Sequence, residues 1–190
     1  MKRTITLKLL AITFACCLTA TAQTNKTFKQ GGLSFDYPSG WSLQDISNKD
    51  AQQFGLTKAD SDVQIVVFVH EGRITPEKLP DAKKAFIDPY IAARAKQLQD
   101  MGAKPEQKPD ASEIGGVKAD GVVVSASLGG ETGAAKIYWA IVGQRVVVLT
   151  LFGPDAQTKQ LSPAWDLIRT SLKVVDPKAV PSPSPTPSPE

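Results

Sequence analysis

Three long apolar runs in the second half of the chain, separated by glycine-rich turns, restrict the fold more than any other feature. They are residues 117–128, 135–142 and 145–152. Each run is of strand length and rich in β-branched residues. Gly129, Gly130 and Gly133 lie between the first two runs, and the two-residue link Gly143-Gln144 is typical of a tight hairpin. We therefore predict an antiparallel meander of three strands.

Weaker strand signals precede the meander. Residues 62–70 have apolar side chains on both faces, which predicts an interior strand covered on two sides. After the pair Gly31-Gly32, three alternating residues share one strand face: Leu33, Phe35 and Tyr37. We also predict short strands over residues 41–43, 54–57 and 113–114.

Two segments have helical periodicity. Residues 79–101 predict one kinked helix or two short ones, with Asp88 read as the N-cap of a helix and Pro89 as its first residue. A last helix follows Ser162-Pro163. Two apolar stripes mark the packing faces: Ile91, Ala95 and Leu98, and then Leu161, Trp165, Ile168 and Leu172. Strands followed by a helix, a meander and a helix predict the α+β class, with helices covering a mostly antiparallel sheet.

The start of this pattern resembles a known family. A Gly-x-Ser-Phe-x-Tyr-Pro-x-x-Trp segment, here Gly32, Ser34, Phe35, Tyr37, Pro38 and Trp41, is similar to the opening of PsbP-like domains. The order of the later elements is similar as well, so that the resemblance covers residues 28–175. It implies an α/β/α sandwich around an antiparallel sheet. It also implies an accessory, chaperone-like or partner-binding protein rather than an enzyme, with no shared motif from which site residues could be carried over.

The first 22 residues read as a cleavable signal peptide. Lys2, Arg3 and Lys8 give a positive start, and the apolar run from Leu9 to Leu18 follows. Small residues up to Ala22 then favour cleavage after that residue. The apolar run would rise only about 15 Å as a helix, half of a bilayer core, so an uncleaved anchor is the weaker interpretation. We expect an exported protein, periplasmic or extracellular.

Both cysteines, Cys16 and Cys17, lie inside that apolar run. Neither has the small-residue surroundings of a lipidated cysteine, so we do not predict a lipid anchor. Cleavage would leave a chain without thiols, which removes disulfides and cysteine ligands from consideration. The 22 basic residues of the chain would fall to 19, equal to its 19 acidic residues. A neutral domain has no electrostatic reason to bind nucleic acid.

The ends of the domain follow from composition. Residues 23–27 are predicted to be a short linker and residues 28–175 the folded domain. Residues 176–190 alternate proline with serine or threonine in their last part, a pattern that cannot pair in a sheet or bury a core. We predict a disordered, solvated tail there, either a plain spacer or a glycosylated or wall-threading stalk.

Candidate chemistry is sparse. The single histidine, His70, lies beside Glu71 and lacks the nucleophile that a general base needs and the further ligands that a metal needs. We predict a surface residue at a strand end, with a pH-sensitive contact as the alternative. The serines at candidate strand positions, Ser34, Ser125 and Ser127, have no nucleophile-elbow motif around them.

Glycines and carboxylates also have structural explanations. Gly129 to Gly133 precedes a strand, whereas phosphate-binding loops lead into helices, so we predict a hairpin turn. Three pairs of carboxylates fit no calcium loop and are predicted to be solvated surface groups. These pairs are Asp60 and Asp62, Glu106 and Asp110, and Glu113 and Asp120.

The three tryptophans could line a ligand groove, but each also fits a core. Trp165 belongs to the apolar stripe of the last helix, and Trp41 follows the turn after the first strand. Trp139 shares a strand face with Ile137 and Ile141. We predict that all three are buried, with the groove as the alternative for Trp139.

These observations favour a non-enzymatic, exported domain that docks to a protein partner at the cell envelope. No catalytic, cofactor or metal residue is assigned, and the binding residues are unknown. The alternative is a carrier or sensor of a small apolar ligand held between sheet and helix, which needs a pocket of a few hundred Å3. A hydrolase with an unusual site is the third possibility.

Overall fold

The apolar runs of the second half form the middle of a seven-stranded sheet in the computed structural model, which describes residues 24–175. Its strands are β3 (Trp41–Asp45), β4 (Ala51–Lys58), β5 (Gln64–Arg73), β6 (Glu106–Ile114), β7 (Val117–Leu128), β8 (Glu131–Val142) and β9 (Arg145–Pro154). Their spatial order is β3-β4-β5-β9-β8-β7-β6, and every neighbouring pair is antiparallel. The predicted meander is β7-β8-β9.

A smaller sheet lies beside the large one. Its strands are β1 (Asn25–Gln30), β2 (Leu33–Pro38) and β10 (Lys173–Val174), in the order β1-β2-β10. This sheet and the last helix face the same side of the large sheet. Buried side chains of β2, such as Leu33 and Phe35, pack in one cluster with Trp165 and Ile168 of that helix.

The helical segments cover both faces of the large sheet. In chain order they are a 3-10 turn (Pro76–Lys78), α1 (Leu79–Ala82), a π turn (Lys83–Ile87), α2 (Asp88–Asp100), α3 (Asp155–Gln160) and α4 (Ser162–Ser171). The first four are continuous and cover one face, where Ile91, Ala95 and Leu98 are buried. Helix α4 covers the other face with Trp165 and Ile168. The predicted α+β class and the α/β/α sandwich are confirmed.

The interior strands have apolar side chains on both faces, as residues 62–70 predicted. In β5, Ile65, Val67 and Val69 belong to the core under α4, whereas Val66 and Phe68 face the longer helical segment. Strand β9 divides in the same way. The two apolar cores therefore share one sheet, and a change in either strand affects both of them.

The kink predicted between residues 79 and 101 is the π turn. Pro89 has no N–H and its ring would crowd a carbonyl one turn earlier in a regular α-helix. The wider turn avoids this conflict, because the N–H of Asp88 bonds to the carbonyl of Lys83, five residues back. The helix is continuous at this point, so the reading of Asp88 as the N-cap of a new helix was wrong. Its side chain makes no cap hydrogen bond.

Several polar segments are strands that the sequence did not predict. Strand β1 begins at Asn25 and pairs with β2, so the linker predicted at residues 23–27 is replaced by sheet from residue 25. Strand β6 begins at Glu106 rather than at residue 113. Both are edge strands, where exposed polar side chains and a proline are tolerated, so the apolar alternation is missing. The predicted signal peptide and the Pro/Ser tail lie outside the described residues.

Candidate functional site

One concave surface of the described residues is an open groove of about 640 Å3. It lies between the helical segment and the outer strands β6, β7 and β8. We call it the helix–sheet groove. Its lining residues are Lys83, Asp88, Ile91, Ala92, Gln107, Pro109, Asp110, Asp120, Gly121, Val122 and Trp139. Apolar groups form its base and charged groups its rim, which is the usual composition of a recognition site.

The helical wall of the groove depends on the π turn. Residues five apart diverge around a regular α-helix, but the π turn has more residues per turn and brings Lys83 beside Asp88. The two side chains form an ion pair, and both are half-exposed. The Lys83 ammonium also lies over the Trp139 ring, 5.6 Å from the ring centroid. A cation on an indole face at this distance is attracted by the electrons of the ring.

The sheet wall presents Asp120 beside Trp139, because these two residues are paired between β7 and β8. Trp139 is 6% exposed and lines the groove, while most of its side chain is core. Asp120 is exposed and forms no ion pair with any residue of the described range. One free carboxylate therefore lies next to an aromatic surface that already holds a cation.

Asp110 is a lining residue of the rim, but its carboxylate is held on the opposite face of the sheet, the face that α4 covers. The Tyr138 hydroxyl donates a 2.7 Å hydrogen bond to Asp110 Oδ2, and the Ala111 N–H donates one to Oδ1. The tyrosine reaches Asp110 by crossing Gly121, where a Cβ would stand 2.3 Å from the ring. The tyrosine hydrogen bond, followed by that of Ala111, lowers the pKa of Asp110 below its ordinary value. Burial first, and then the hydrogen bond to Asp110, raise the pKa of Tyr138.

This contact predicts a pH-dependent contribution to stability. The pKa of Asp110 is lower in the folded chain than in the unfolded chain, so the contribution is present above the unfolded pKa of about 3.9. It is lost as pH falls through the folded pKa. We expect Tyr138→Phe to destabilise the domain at neutral pH and to lose less further stability than the wild type on acidification to about pH 3. Urea unfolding of both chains at the two pH values measures this. An unchanged pH dependence would contradict the assignment.

A second cavity between the helix and the sheet bears on the carrier alternative. It measures about 100 Å3 and is lined mainly by apolar groups of β5, β9 and the helical segment. The Tyr90 hydroxyl closes one side by donating a 3.0 Å hydrogen bond to Thr150, which is almost fully buried. A drug-sized ligand needs roughly 300 Å3 or more. This second cavity is therefore too small for the ligand of the carrier alternative, whereas the helix–sheet groove meets its volume requirement.

A third concavity is an apolar cleft of about 160 Å3 at the far end of α2. It is flanked by two of the exposed large apolar side chains, Met101 at 54% exposure and Leu128 at 45%. Leu98 and Phe152 line its inner part. This cleft is small beside the helix–sheet groove, and it presents fewer charged groups.

The structure brings few of the sequence candidates together. His70 is half-buried rather than a surface residue at a strand end, because β5 continues through a bulge to Arg73. Its ring stacks on Phe86 at 5.2 Å, and its Nδ1 accepts a 2.9 Å hydrogen bond from the Gly72 N–H. These partners are a phenyl ring and the backbone, which gives His70 a structural role in the bulge.

The tryptophans, serines and glycines considered from the sequence have the structural positions predicted for them. Trp41, Trp139 and Trp165 are all buried, and the three serines are in strands. Gly129-Gly130 forms the turn between β7 and β8, although β8 begins at Glu131, earlier than predicted. Of the carboxylates, Asp110 and Asp120 are both among the residues that line the groove, but the strand register places their side chains on opposite faces of the sheet.

Lys83 was missed by the sequence reading, and Asp88 was noted only as a cap. A proline inside an otherwise helical pattern was the available signal, since π turns often accommodate such residues and often occur at functional sites. Among residues 24–175, no group of three or more potential metal ligands is clustered. No helix in that range is long and apolar enough to cross a membrane.

The sandwich of one antiparallel sheet between helical layers, with the small sheet beside α4, is a PsbP-like fold. The resemblance predicted from residues 32–41 is thereby confirmed at the level of fold. No protein-family model and no curated protein sequence matches the chain.

The solved structures that are similar to this chain in backbone include the following two. The solution structure of cyanobacterial PsbP (CyanoP) from Synechocystis sp. PCC 6803 superposes with a TM-score of 0.52 and 15% identity, over 85% of this chain and 98% of that one. A protein of Bacteroides thetaiotaomicron VPI-5482 gives a TM-score of 0.50 and 14% identity, over 80% of this chain and 49% of that one. At these identities the likeness shows the fold. It identifies no site residues.

Proposed function

We propose that this chain is an exported, non-catalytic domain that binds a protein partner at the cell envelope through the helix–sheet groove. The observation that carries the proposal is the groove itself. It is wide, open to solvent and rimmed by charged groups above an apolar base. This composition suits a segment of another protein, since interfaces combine a buried apolar centre with a polar rim.

Its chemistry supports binding rather than catalysis. The lining side chains that carry charge are one lysine and three aspartates, with no serine, cysteine or histidine among them. A nucleophile activated by a neighbouring base is the usual arrangement of a covalent catalyst, and the lining offers no such pair.

Export is supported by the sequence of residues 1–22, with its positive start, apolar run and small-residue end. Delivery to the envelope would place the domain among proteins with exposed loops and termini, which are suitable segments for an open groove.

The test is a cross-linking pull-down of the tagged mature chain from native envelope extract, read by mass spectrometry. Two variants of α2 make the test specific. Ala92 lines the groove, whereas Ala93 is its exposed neighbour outside the lining. We expect the wild type and Ala93→Gln to recover one dominant protein in stoichiometric amount. Ala92→Gln is expected to recover at least about tenfold less of this protein, a loss in binding free energy of roughly 1.4 kcal/mol.

Other outcomes would contradict parts of the proposal. Recovery of a lipid or small molecule without a protein would reject partner binding. Equal recovery of the partner by both variants would keep partner binding and reject the groove as its site. Since glutamine is a good helix former, neither variant is expected to unfold α2.

A further inference from the structure

We infer that the helix–sheet groove recognises a basic side chain of its partner, seated on the Trp139 ring between Asp88 and Asp120, where Lys83 lies in this structure. This inference rests on the proposed function and adds the chemistry of the segment that is bound. Its first basis is charge. The carboxylates of Asp88 and Asp120 lie on the groove side, against the single ammonium of Lys83. The groove therefore carries an excess of negative charge and attracts a cationic segment.

The second basis is the cation that already occupies the aromatic surface. Lys83 shows that an ammonium fits over the Trp139 ring at 5.6 Å while paired with a carboxylate. The side chains of Lys83 and Asp88 are 41% and 45% exposed. An ion pair of that exposure contributes at most about 1 kcal/mol, so an incoming cation can displace it. Lys83 is then released to solvent, and Asp88 exchanges one cation for another.

The third basis is the unpaired carboxylate. Asp120 is the cross-strand partner of Trp139 and has no ion pair in the described range. A cation on the Trp139 ring would lie between Asp88 of the helix and Asp120 of the sheet. Among the described residues, Lys83 pairs with Asp88 only. Apolar groups along the base, among them Ile91 and Val122, suit the aliphatic stem of such a side chain.

Arginine fits this arrangement better than lysine. A guanidinium is planar, stacks on an indole face and presents a fork of N–H donors that matches a carboxylate. Lysine is a point charge and would reproduce only the position that Lys83 now fills. We therefore expect the partner segment to contain an arginine with small neighbours, because a bulky neighbour would meet the wall formed by α2.

The test uses two blocked peptides, Gly-Ala-Arg-Ala-Gly and the same sequence with citrulline in place of arginine. Citrulline has nearly the shape of arginine and no charge. The mature chain is labelled with 15N and titrated with each peptide to millimolar concentration. We expect the Trp139 indole Nε1–H and the Asp120 amide to shift with the arginine peptide, and to shift far less with the citrulline peptide.

Two variants are expected to change the affinity for the arginine peptide in opposite directions. Lys83→Gln removes the resident cation and is expected to tighten binding of the arginine peptide by about two- to fivefold. Asp120→Asn removes the free carboxylate and is expected to weaken it by a similar factor. Asp100→Asn is the matched control, because Asp100 pairs with Lys96 on the exposed side of α2 and lies outside the groove. Its affinity is expected to equal that of the wild type.

Equal shifts with both peptides, no shift at either, or weaker binding by Lys83→Gln would overturn the inference. Failure of the inference is distinguishable from failure of the proposed function. If the envelope pull-down recovers a partner that Asp120→Asn binds as well as the wild type does, partner binding stands and the basic side chain is rejected. If no partner is recovered, the proposed function itself fails.

Discussion

Replacing Gly143 by alanine is expected to lower the free energy of unfolding by about 3 kcal/mol, whereas the same replacement at Gly129 is expected to cost about 1 kcal/mol. Both glycines occupy the first position of a two-residue hairpin turn. Their φ angles are nearly equal, +57° at Gly143 and +61° at Gly129. The backbone cost of a Cβ in the left-handed region is therefore the same in both variants.

The two turns differ in what surrounds them. A Cβ at Gly143 would stand 2.1 Å from the Val174 carbonyl oxygen, whereas a Cβ at Gly129 would meet no atom within 4 Å. The Val174 carbonyl is backbone and belongs to β10, so it moves only if the small sheet moves with it. The difference between the variants, about 2 kcal/mol, is the cost of that displacement. Urea unfolding at one pH measures the free energy of unfolding of both variants. Equal losses of stability would show that β10 moves aside at no cost.

Replacing Arg145 by methionine is expected to cost about 3 kcal/mol, although methionine preserves most of the apolar volume. The arginine is 4% exposed. Its Nε donates a 2.8 Å hydrogen bond to the His70 carbonyl in the bulge of β5, and its Nη1 donates one of 3.3 Å to the Gly31 carbonyl in the β1–β2 turn. Its Nη2 is 2.8 Å from a Glu71 carboxylate oxygen.

The methionine variant leaves the bulge carbonyl of His70 without this donor. A bulge removes a residue from the regular ladder, so its backbone groups depend on such side chains. Glu71→Gln is the control, because it removes the charge of a half-exposed partner and keeps the two carbonyl contacts. We expect it to cost less than about 1 kcal/mol. If thermal and urea unfolding give similar losses for both variants, the ion pair rather than the carbonyl contacts carries the contribution of Arg145.

The elements that the sequence predicted correctly are those in which side-chain periodicity follows burial. Strand β5 alternates apolar side chains between two cores, and α4 presents Trp165 and Ile168 at helical spacing. These patterns are visible in the sequence because both faces of an interior strand, or one stripe of a helix, are buried and therefore apolar. Strands β1 and β6 lie at sheet edges, where no such requirement holds, and their polar side chains read as linker and loop.

The groove could not be predicted because its parts are far apart in the chain. Lys83 and Trp139 meet only after the helical segment has packed on the sheet, and no local pattern links them. The same holds for Tyr138 and Asp110, which meet across Gly121. The sequence did indicate that Trp139 is buried, because Ile137 and Ile141 share its strand face. It did not indicate that the ring of Trp139 also contacts a cation, the ammonium of Lys83.

The position of β10 has a consequence for the order of folding. Strand β2 finds its second partner at Lys173–Val174, and the Val175 N–H bonds to the Gly32 carbonyl at 2.8 Å. The Gly115 N–H likewise bonds to the Arg169 carbonyl at 2.8 Å. A chain that emerges with its N-terminus first, from a ribosome or through a membrane, therefore keeps β2 half-paired until these last residues appear. Long-range pairing of this kind is slow, so we expect the pairing of β2 with β10 to be one of the last events in the folding of the domain.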